Sequence, residues 1–397
     1  MIHKPAIPLT LFFAGLIFTA ANMRSPIVML GSVSPMLSAD FGMNAAAIGY
    51  LGALPMPLFA IGSLIAPYLA KRFGIEMMMI CMTLLLAVGV ATRSWSGIGL
   101  LFIGTLILSL AIGILNALSA PFIKKHIGSH IALATGVFSL SLSVIAGLGA
   151  WAVVPMSHAL TWQLSLSLWA VFSVIAAVIW LITHQKSKIK HSATPAMAHQ
   201  HFKQFNPWKA AQAWQMAVFL GLQSLMFYWA ASFLTSVGIG YGLSLEQATG
   251  LMLAFQLVAP FAILLLTYLI KRDFPTQIFA LLCAILNATG VAGLLWLPDY
   301  LYLWSGMMGF GGAATFTLVL MMFSLRTSSF ETARDLSGMA QAVGYLIATL
   351  GPLLLGLLFE KMGDWHLPLM VLLGLMIVNI PMGFLAARSQ KIDSAQS

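Results

Sequence analysis

Charge is scarce in this 397-residue chain: Asp, Glu, Lys and Arg make up 7% of it, and hydrophobic residues make up 60%. A soluble domain carries roughly 25% charged residues. No water-soluble fold could hide that much apolar surface, so the composition excludes a soluble globular protein. Cysteine is nearly absent as well. Cys81 and Cys283 both fall in apolar runs, where they read as small packing residues, so neither a disulfide framework nor a thiolate metal site is implied. The long apolar runs also lack acid in their interiors. Asp40, Glu76, Glu246, Asp273, Asp299, Glu331, Asp335, Glu360, Asp364 and Asp393 all map to loops or run ends. That leaves no membrane-embedded carboxylate to relay protons or bind sodium.

Catalytic signatures are missing too. The chain has no paired carboxylate, H-E-x-x-H, G-x-S-x-G, P-loop or dinucleotide fingerprint. Gly309-Phe310-Gly311-Gly312 is glycine-rich but lies inside an apolar run and lacks the strand and lysine of a phosphate cradle. An enzyme is therefore not expected, and no cofactor is implied. His184, His191, His199 and His201 match no metal-ligand spacing and have no cysteine or carboxylate with them, so no metal is expected. The net charge of +9 is dispersed between apolar segments, which argues against a nucleic-acid partner.

What is present is apolar sequence in long runs. Twelve can cross about 30 Å of hydrocarbon: 8–36, 45–69, 75–92, 98–121, 131–154, 163–183, 211–237, 247–270, 276–297, 300–324, 336–359 and 366–386. Nothing alternates as β-barrel strands do. Lys4, an apolar stretch and small residues at Thr19-Ala20-Ala21 imitate a signal peptide. Similar runs follow to the end of the sequence, so the first run reads as a retained span. The 34 glycines, 24 methionines and 11 tryptophans suit close-packed membrane helices with aromatic belts.

The loops fix an expected orientation. Sixteen of the nineteen basic residues fall on the side shared by both termini, and only Arg93 and Lys361 fall opposite. Both termini are therefore predicted to be cytoplasmic. The polar stretch 184–209 sits at the midpoint and reads as a cytoplasmic linker between six-span halves, 1–183 and 210–397. Tyr68-Leu69-Ala70-Lys71-Arg72 is echoed by Tyr268-Leu269-Ile270-Lys271-Arg272, displaced by 200 residues and closing the second span of each half. Two parallel six-helix repeats are a transporter arrangement. Pro55, Pro57 and Pro67 in the second span and Pro260 in the eighth are placed to bend helices beside a cavity.

Arg24 is the exception to the poverty of charge. It lies more than a dozen residues into the first run and reads as the single clearly intramembrane charge. Burying it costs at least a few kcal/mol even on lenient insertion scales, and arginine does not shed its charge. It must face a wet cavity, a buried partner or an anionic ligand. The other candidate wall residues are Asn22, Asn116, Gln223, Tyr228, Gln256, Gln341 and Tyr345. Gln341 and Tyr345 lie one turn apart, as do Gln223 and Phe227, and Ser109 and Asn116 share a face. Asn22, two residues from Arg24, falls on a different face. Asn287, in the ninth run, reads as a structural bond. Each of these amides and phenols equally suits a bond across a helix contact. Phe227, Tyr228 and Trp229 form an aromatic cluster suited either to a planar solute or to packing.

Three stretches carry a family resemblance. Asn22-Met23-Arg24-Ser25-Pro26, followed by Gly31 and Pro35, resembles the first-helix signature of the cyanate and nitroimidazole permeases within the major facilitator superfamily. Leu115-Asn116-Ala117-Leu118-Ser119-Ala120-Pro121-Phe122-Ile123-Lys124-Lys125 is similar to the same family. Leu336-Ser337-Gly338-Met339-Ala340-Gln341-Ala342-Val343-Gly344-Tyr345 resembles its nitroimidazole-transporter branch. The resemblance covers essentially the whole chain and implies an all-α fold of twelve transmembrane helices. It further implies a secondary carrier of the bacterial inner membrane whose cargo is a small anionic or planar heterocyclic molecule; a monomer is expected. Family arginine and amide positions fall on Arg24, Asn116 and Gln341. The chain departs from the pattern at Ser25, where many relatives have proline, and in Ala66–Gly74, which lacks the usual acidic residue. The competing readings are a channel and a non-transporting receptor or scaffold. The two-half pattern and the absence of a filter sequence count against a channel.

Overall fold

The computed structural model of the chain describes residues 8–43, 50–95, 97–127, 130–191 and 205–392. Among them, twelve helical stretches are long and apolar enough to cross a membrane. Helix is the form such sequence takes, because an apolar segment in lipid must satisfy its backbone polar groups internally. We label the helices α1 (Leu9–Ser32), α2 (Ser34–Phe41), α3 (Pro55–Phe73), α4 (Ile75–Arg93) and α5 (Ile98–His126). Next come α6 (Ile131–Ala159), α7 (Trp162–Ser167), α8 (Trp169–His191), α9 (Ala211–Gly240) and α10 (Leu245–Leu257). The last five are α11 (Ala259–Lys271), α12 (Thr276–Trp296), α13 (Leu301–Leu325), α14 (Phe330–Met362) and α15 (His366–Ala386).

Some prolines break helices through a missing N–H and a ring clash, while Pro26, Pro67, Pro121, Pro155, Pro352 and Pro381 are carried inside helices. Pro55 starts α3, and Pro260 is the second residue of α11, so the second and eighth spans are both interrupted, five residues apart in the 200-residue register. The first run is broken as well. It turns at Val33 before Pro35 and resumes as α2, rather than continuing unbroken through residues 8–36. The eleventh span starts at Phe330, six residues before the expected 336. The cause is a reciprocal cap: Thr332 N–H donates to Ser329 Oγ and Ser329 N–H to Thr332 Oγ1, both at 3.2 Å. Helix α8 runs on through His191, so the first residues of the expected linker are helical. Residues 192–204 of that linker lie outside the described residues.

The chain divides into two compact units: Met1–Ala210 with Phe323–Gly338 and Lys391–Ser397, and Ala211–Met322 with Met339–Gln390. In the first unit α1 packs on α6 and α8, while α3 and α4 pack on α5. Small residues set the crossing of α3 and α5. An added Cβ at Gly62 would meet the Leu110 carbonyl at 2.8 Å, and one at Gly113 would meet the Phe59 backbone at 2.7 Å. The membrane provides little hydrophobic drive between helices, so this backbone proximity is what dispersion can exploit. Ser63 Oγ adds a bond to Gly113 O at 3.1 Å.

The segment Phe323–Gly338 joins α13 to α14 and belongs to the first unit. Lys124 Nζ donates to Ser324 O at 2.7 Å, to Thr327 Oγ1 at 2.8 Å and also to Thr327 O. Ser324 Oγ returns a bond to Ala120 O at 2.8 Å, and Lys391 Nζ reaches Thr327 O at 2.9 Å. Lys71 pairs with Asp335 at 3.1 Å, and Lys125 lies 5.0 Å from the Phe330 ring centroid. Burial in this segment pushes the Arg326 guanidinium below its ordinary pKa.

The second unit is built on α9, which packs against α10 and α15, with α12 against α15. Its core gathers Trp229, Phe255, Met308, Leu355, Trp365 and Met376. Asn287 is fully buried with its amide against Gly311 of α13, but neither amide atom has a hydrogen-bond partner among the described residues, so the structural bond expected of it is not formed there.

Candidate functional site

Arg24 sits on α1 about 22 Å from Leu9 along the helix axis, at 1.5 Å per residue. It is half-buried, and its Nη1 lies 3.4 Å from Ser143 Oγ on α6. Ser143 belongs to the run Ser139-Leu140-Ser141-Leu142-Ser143, whose third serine meets the arginine. The sequence reading did not single Ser143 out, although three serines in five residues of an apolar span were a visible signal.

Asn22 does not join that pair. It is fully buried, and its Nδ2 donates to Phe18 O of its own helix at 3.1 Å. Asn116 is buried on α5, one turn before the Pro121 segment; Ser109, seven residues earlier, is fully buried on the same face.

A second guanidinium reaches the same part of α1. Arg93, the last residue of α4, has no solvent exposure, and its Nη1 donates to Pro26 O at 2.6 Å. Arg24 is therefore not alone as a charge buried among the spans. Arg93 ends an apolar run and precedes Ser94-Trp95-Ser96-Gly97, which led the sequence reading to place it in a loop. Its burial follows from Gly104 on α5, which has no side chain to hold the Arg93 backbone away.

In the second unit the structure brings several candidates together. Gln223 on α9 is buried, and its Nε2 lies 3.4 Å from where a Cβ on Gly312 would stand. The same point is 3.3 Å from Met226 Cε and 3.8 Å from Phe255 Cζ. Phe227 and Phe255 are tilted 58° to one another with centroids 6.0 Å apart, and Tyr228 meets Phe227 edge to face at 5.2 Å. One amide, three aromatic rings and a glycine on α13 thus share a corner of this unit. Gln256 follows Phe255 but lies about 100° further round α10 and is half-buried. Gln341 and Tyr345 are both buried on one face of α14. They flank the crossing at which Gly344 Cα comes within 3.1 Å of a Cβ built on Gly221 of α9.

The chemistry available is a guanidinium on one unit and an amide with aromatic faces on the other. Guanidinium is planar and multidonor, matching carboxylate-like or nitro-like oxygens, and ring faces suit planar solutes. Among the described residues no cluster of His, Cys, Asp and Glu could hold a metal ion.

Comparison with known proteins identifies the family. The chain is 32% identical over 380 residues to the 2-nitroimidazole transporter of Escherichia coli (strain K12), covering 96% of each chain. It is 27% identical over 384 residues to the cyanate transport protein CynX of the same organism, covering 92% of this chain and 95% of that protein. The fold matches the proton:xylose symporter XylE, bound to 6-bromo-6-deoxy-D-glucose, with a TM-score of 0.76 at 10% identity, over 97% of this chain and 98% of that one. Residues 9–334 match the model of the Major Facilitator Superfamily. With twelve spans and that match, the chain is a multi-pass membrane protein that belongs to the Major Facilitator Superfamily, the secondary transporters that work by alternating access.

Proposed function

We propose that this carrier moves a small planar organic compound, either an anion or an azole bearing electron-rich oxygens, across the bacterial inner membrane. The observation that carries the reading is the half-buried guanidinium of Arg24 in the middle of an apolar span. A charge in that setting is costly unless it meets a buried partner, a wet cavity or an anionic ligand, and Ser143 is a neutral partner that does not itself balance the charge. The relatives' cargoes fit the same chemistry, since cyanate is a small anion and a nitroimidazole is a flat ring with two nitro oxygens. In this reading Arg24 supplies attraction, Asn116, Gln223 and Gln341 fix orientation, and Phe227, Tyr228, Phe255 and Tyr345 supply ring faces and edges. Asn22 and Gln256 contribute less, because one is bonded within its helix and the other lies off the aromatic corner.

Both termini are proposed to be cytoplasmic, from the basic residues shared by their side. It is proposed to act as a carrier, with no chemistry on the cargo. The test is a thermal-shift series of small anions and nitroheterocycles on purified protein, followed by flux in proteoliposomes. A compound of this class should stabilise the protein and be transported. Stabilisation and flux confined to sugars or cations would refute the assignment.

A further inference from the structure

Arg93 is set up differently from a helix-capping arginine. The last carbonyls of α4 are already taken: Ser94 N–H donates to Ala91 O and Trp95 N–H to Thr92 O, both at 3.2 Å, and Ser94 Oγ donates to Val90 O at 2.8 Å. The guanidinium instead crosses to α1, where Nη1 binds Pro26 O. Its Nε and Nη2 are buried and have no hydrogen-bond partner among the described residues. None of the ion pairs among the described residues includes Arg93; they join Lys71 and Arg334 to Asp335, and Lys125 and His126 to Glu76. A fully buried, permanently charged group is thus left with two donors on one edge and no counter-charge among the described residues. Native structures rarely tolerate either condition.

A water molecule would satisfy the two N–H groups but not the charge. An anion would satisfy both, and a guanidinium edge of Nε and Nη2 is the geometry that grips one. The room is small. Gly104 of α5 lies against the Arg93 backbone, and Asn22, one turn before Pro26 on the same face of α1, is fully buried. The site is close to the surface along the chain, since Trp95, two residues on, is 71% exposed. We propose that Arg93 holds a small monovalent inorganic anion of chloride size on its Nε and Nη2, locking α4 and α5 against the Pro26 turn of α1 just beyond Arg24. This site is separate from the transported cargo and does not depend on the cargo's identity.

The probe is chloride against gluconate, which is too large for the site, at constant ionic strength. With wild-type protein, chloride should raise the melting temperature by at least about 2 °C at saturating concentration. Arg93→Met should lose that rise, and Arg24→Ala should keep it. Equal melting temperatures of the wild type in the two salts would overturn the proposal. So would a rise that survives in Arg93→Met, or one that Arg24→Ala removes, which would place the anion at Arg24. If Arg93→Met does not fold, wild-type crystals grown in bromide decide the question. An anomalous peak within hydrogen-bond reach of Nε and Nη2 supports the site. A peak at Arg24 only, or a guanidinium that donates to the Asn22 amide oxygen with no peak beside it, refutes it.

Discussion

Two glycines on α13, one turn apart at 309 and 312, give a sharp test of the aromatic corner. A methyl at Gly309 would collide with the Phe255 carbonyl and stand 2.8 Å from Phe255 Cα. Relieving the closest contact, with the Phe255 carbonyl oxygen, requires α10 to retreat by more than about 1 Å, since the obstacle is backbone and not a side chain that can rotate. Overpacking of that kind costs about 1–3 kcal/mol. The gain in helix propensity on replacing glycine by alanine returns at most about 1 kcal/mol. At Gly312 the nearest atoms are Met226 Cε at 3.3 Å and Gln223 Nε2 at 3.4 Å, both side-chain ends that can yield by a few tenths of an ångström. Gly312→Ala should therefore leave stability within about 1 kcal/mol of wild type while crowding the Gln223 amide. The expected outcome is a clear loss of melting temperature for Gly309→Ala. For Gly312→Ala the expectation is near-native melting with a raised KM for cargo in proteoliposome flux. A Gly309→Ala protein as stable as wild type would refute the packing argument. Unchanged KM in Gly312→Ala, and again in Gly312→Val, would remove Gln223 from the binding wall.

Arg24→Ala should reduce cargo affinity by roughly 10–100-fold, the value of one charge-assisted hydrogen bond lost, with Arg24→Lys retaining part of it; full-rate flux from monodisperse Arg24→Ala would contradict the role. Lys124→Met removes the donor to Ser324 O and Thr327 and should cost about 2–4 kcal/mol. The signature is faster amide exchange across residues 323–338, and unchanged exchange there would count against the clasp. A cysteine at Ser187 in the last turns of α8 should label from the cytoplasmic side only, and periplasmic labelling would reverse the proposed topology. Finally, a proton gradient should drive no uphill accumulation of a non-titrating cargo, because no Asp or Glu lies deep in an apolar run. The nearest described acid to the α1 end, Asp40, already accepts a bond from Trp162 Nε1 at 2.6 Å. Accumulation under a proton gradient alone would show that a carboxylate enters the cycle.

Most of the architecture was legible because membrane folding reduces to few choices. A run of about twenty apolar residues has to become helix, so the third span, expected at 75–92, is helix Ile75–Arg93. The interruptions at Pro55 and Pro260 were visible for the same local reason. Boundaries set by side-chain caps were less visible. The Ser329–Thr332 cap extends α14 outward, and only its short polar stretch, Thr327-Ser328-Ser329, marked it in advance.

The candidate site was harder to read for a different physical cause. On a soluble helix the polar face names the exterior, but α9 and α10 are apolar nearly all round, so an amide's register does not say whether it faces a neighbour, a cavity or lipid. Gln223 and Gln256 look alike in the sequence. One proves buried beside Gly312 and Phe255, and the other half-buried on the next face. The deciding information lies in the glycines of partner helices, because a glycine marks where two backbones approach and therefore which side chains are shut in between. Gly312 does this for Gln223, Gly344 for the α14 face that carries Tyr345, and Gly104 for Arg93. Arg93 is the extreme case. At the end of an apolar run, beside serine and glycine, it has every local mark of a solvated loop residue, and only a glycine eleven positions away on the next helix turns it into a buried charge. Gly104→Ala should therefore act on Arg93 before it acts on anything else. The added methyl would collide with the Arg93 backbone, pushing the end of α4 outward and parting Nη1 from the Pro26 carbonyl 2.6 Å away. Amide exchange at residues 90–95 should rise in that variant, while exchange around Gln223 stays as in the wild type. Equal protection at residues 90–95 in variant and wild type would mean that something other than Gly104 keeps this arginine out of solvent.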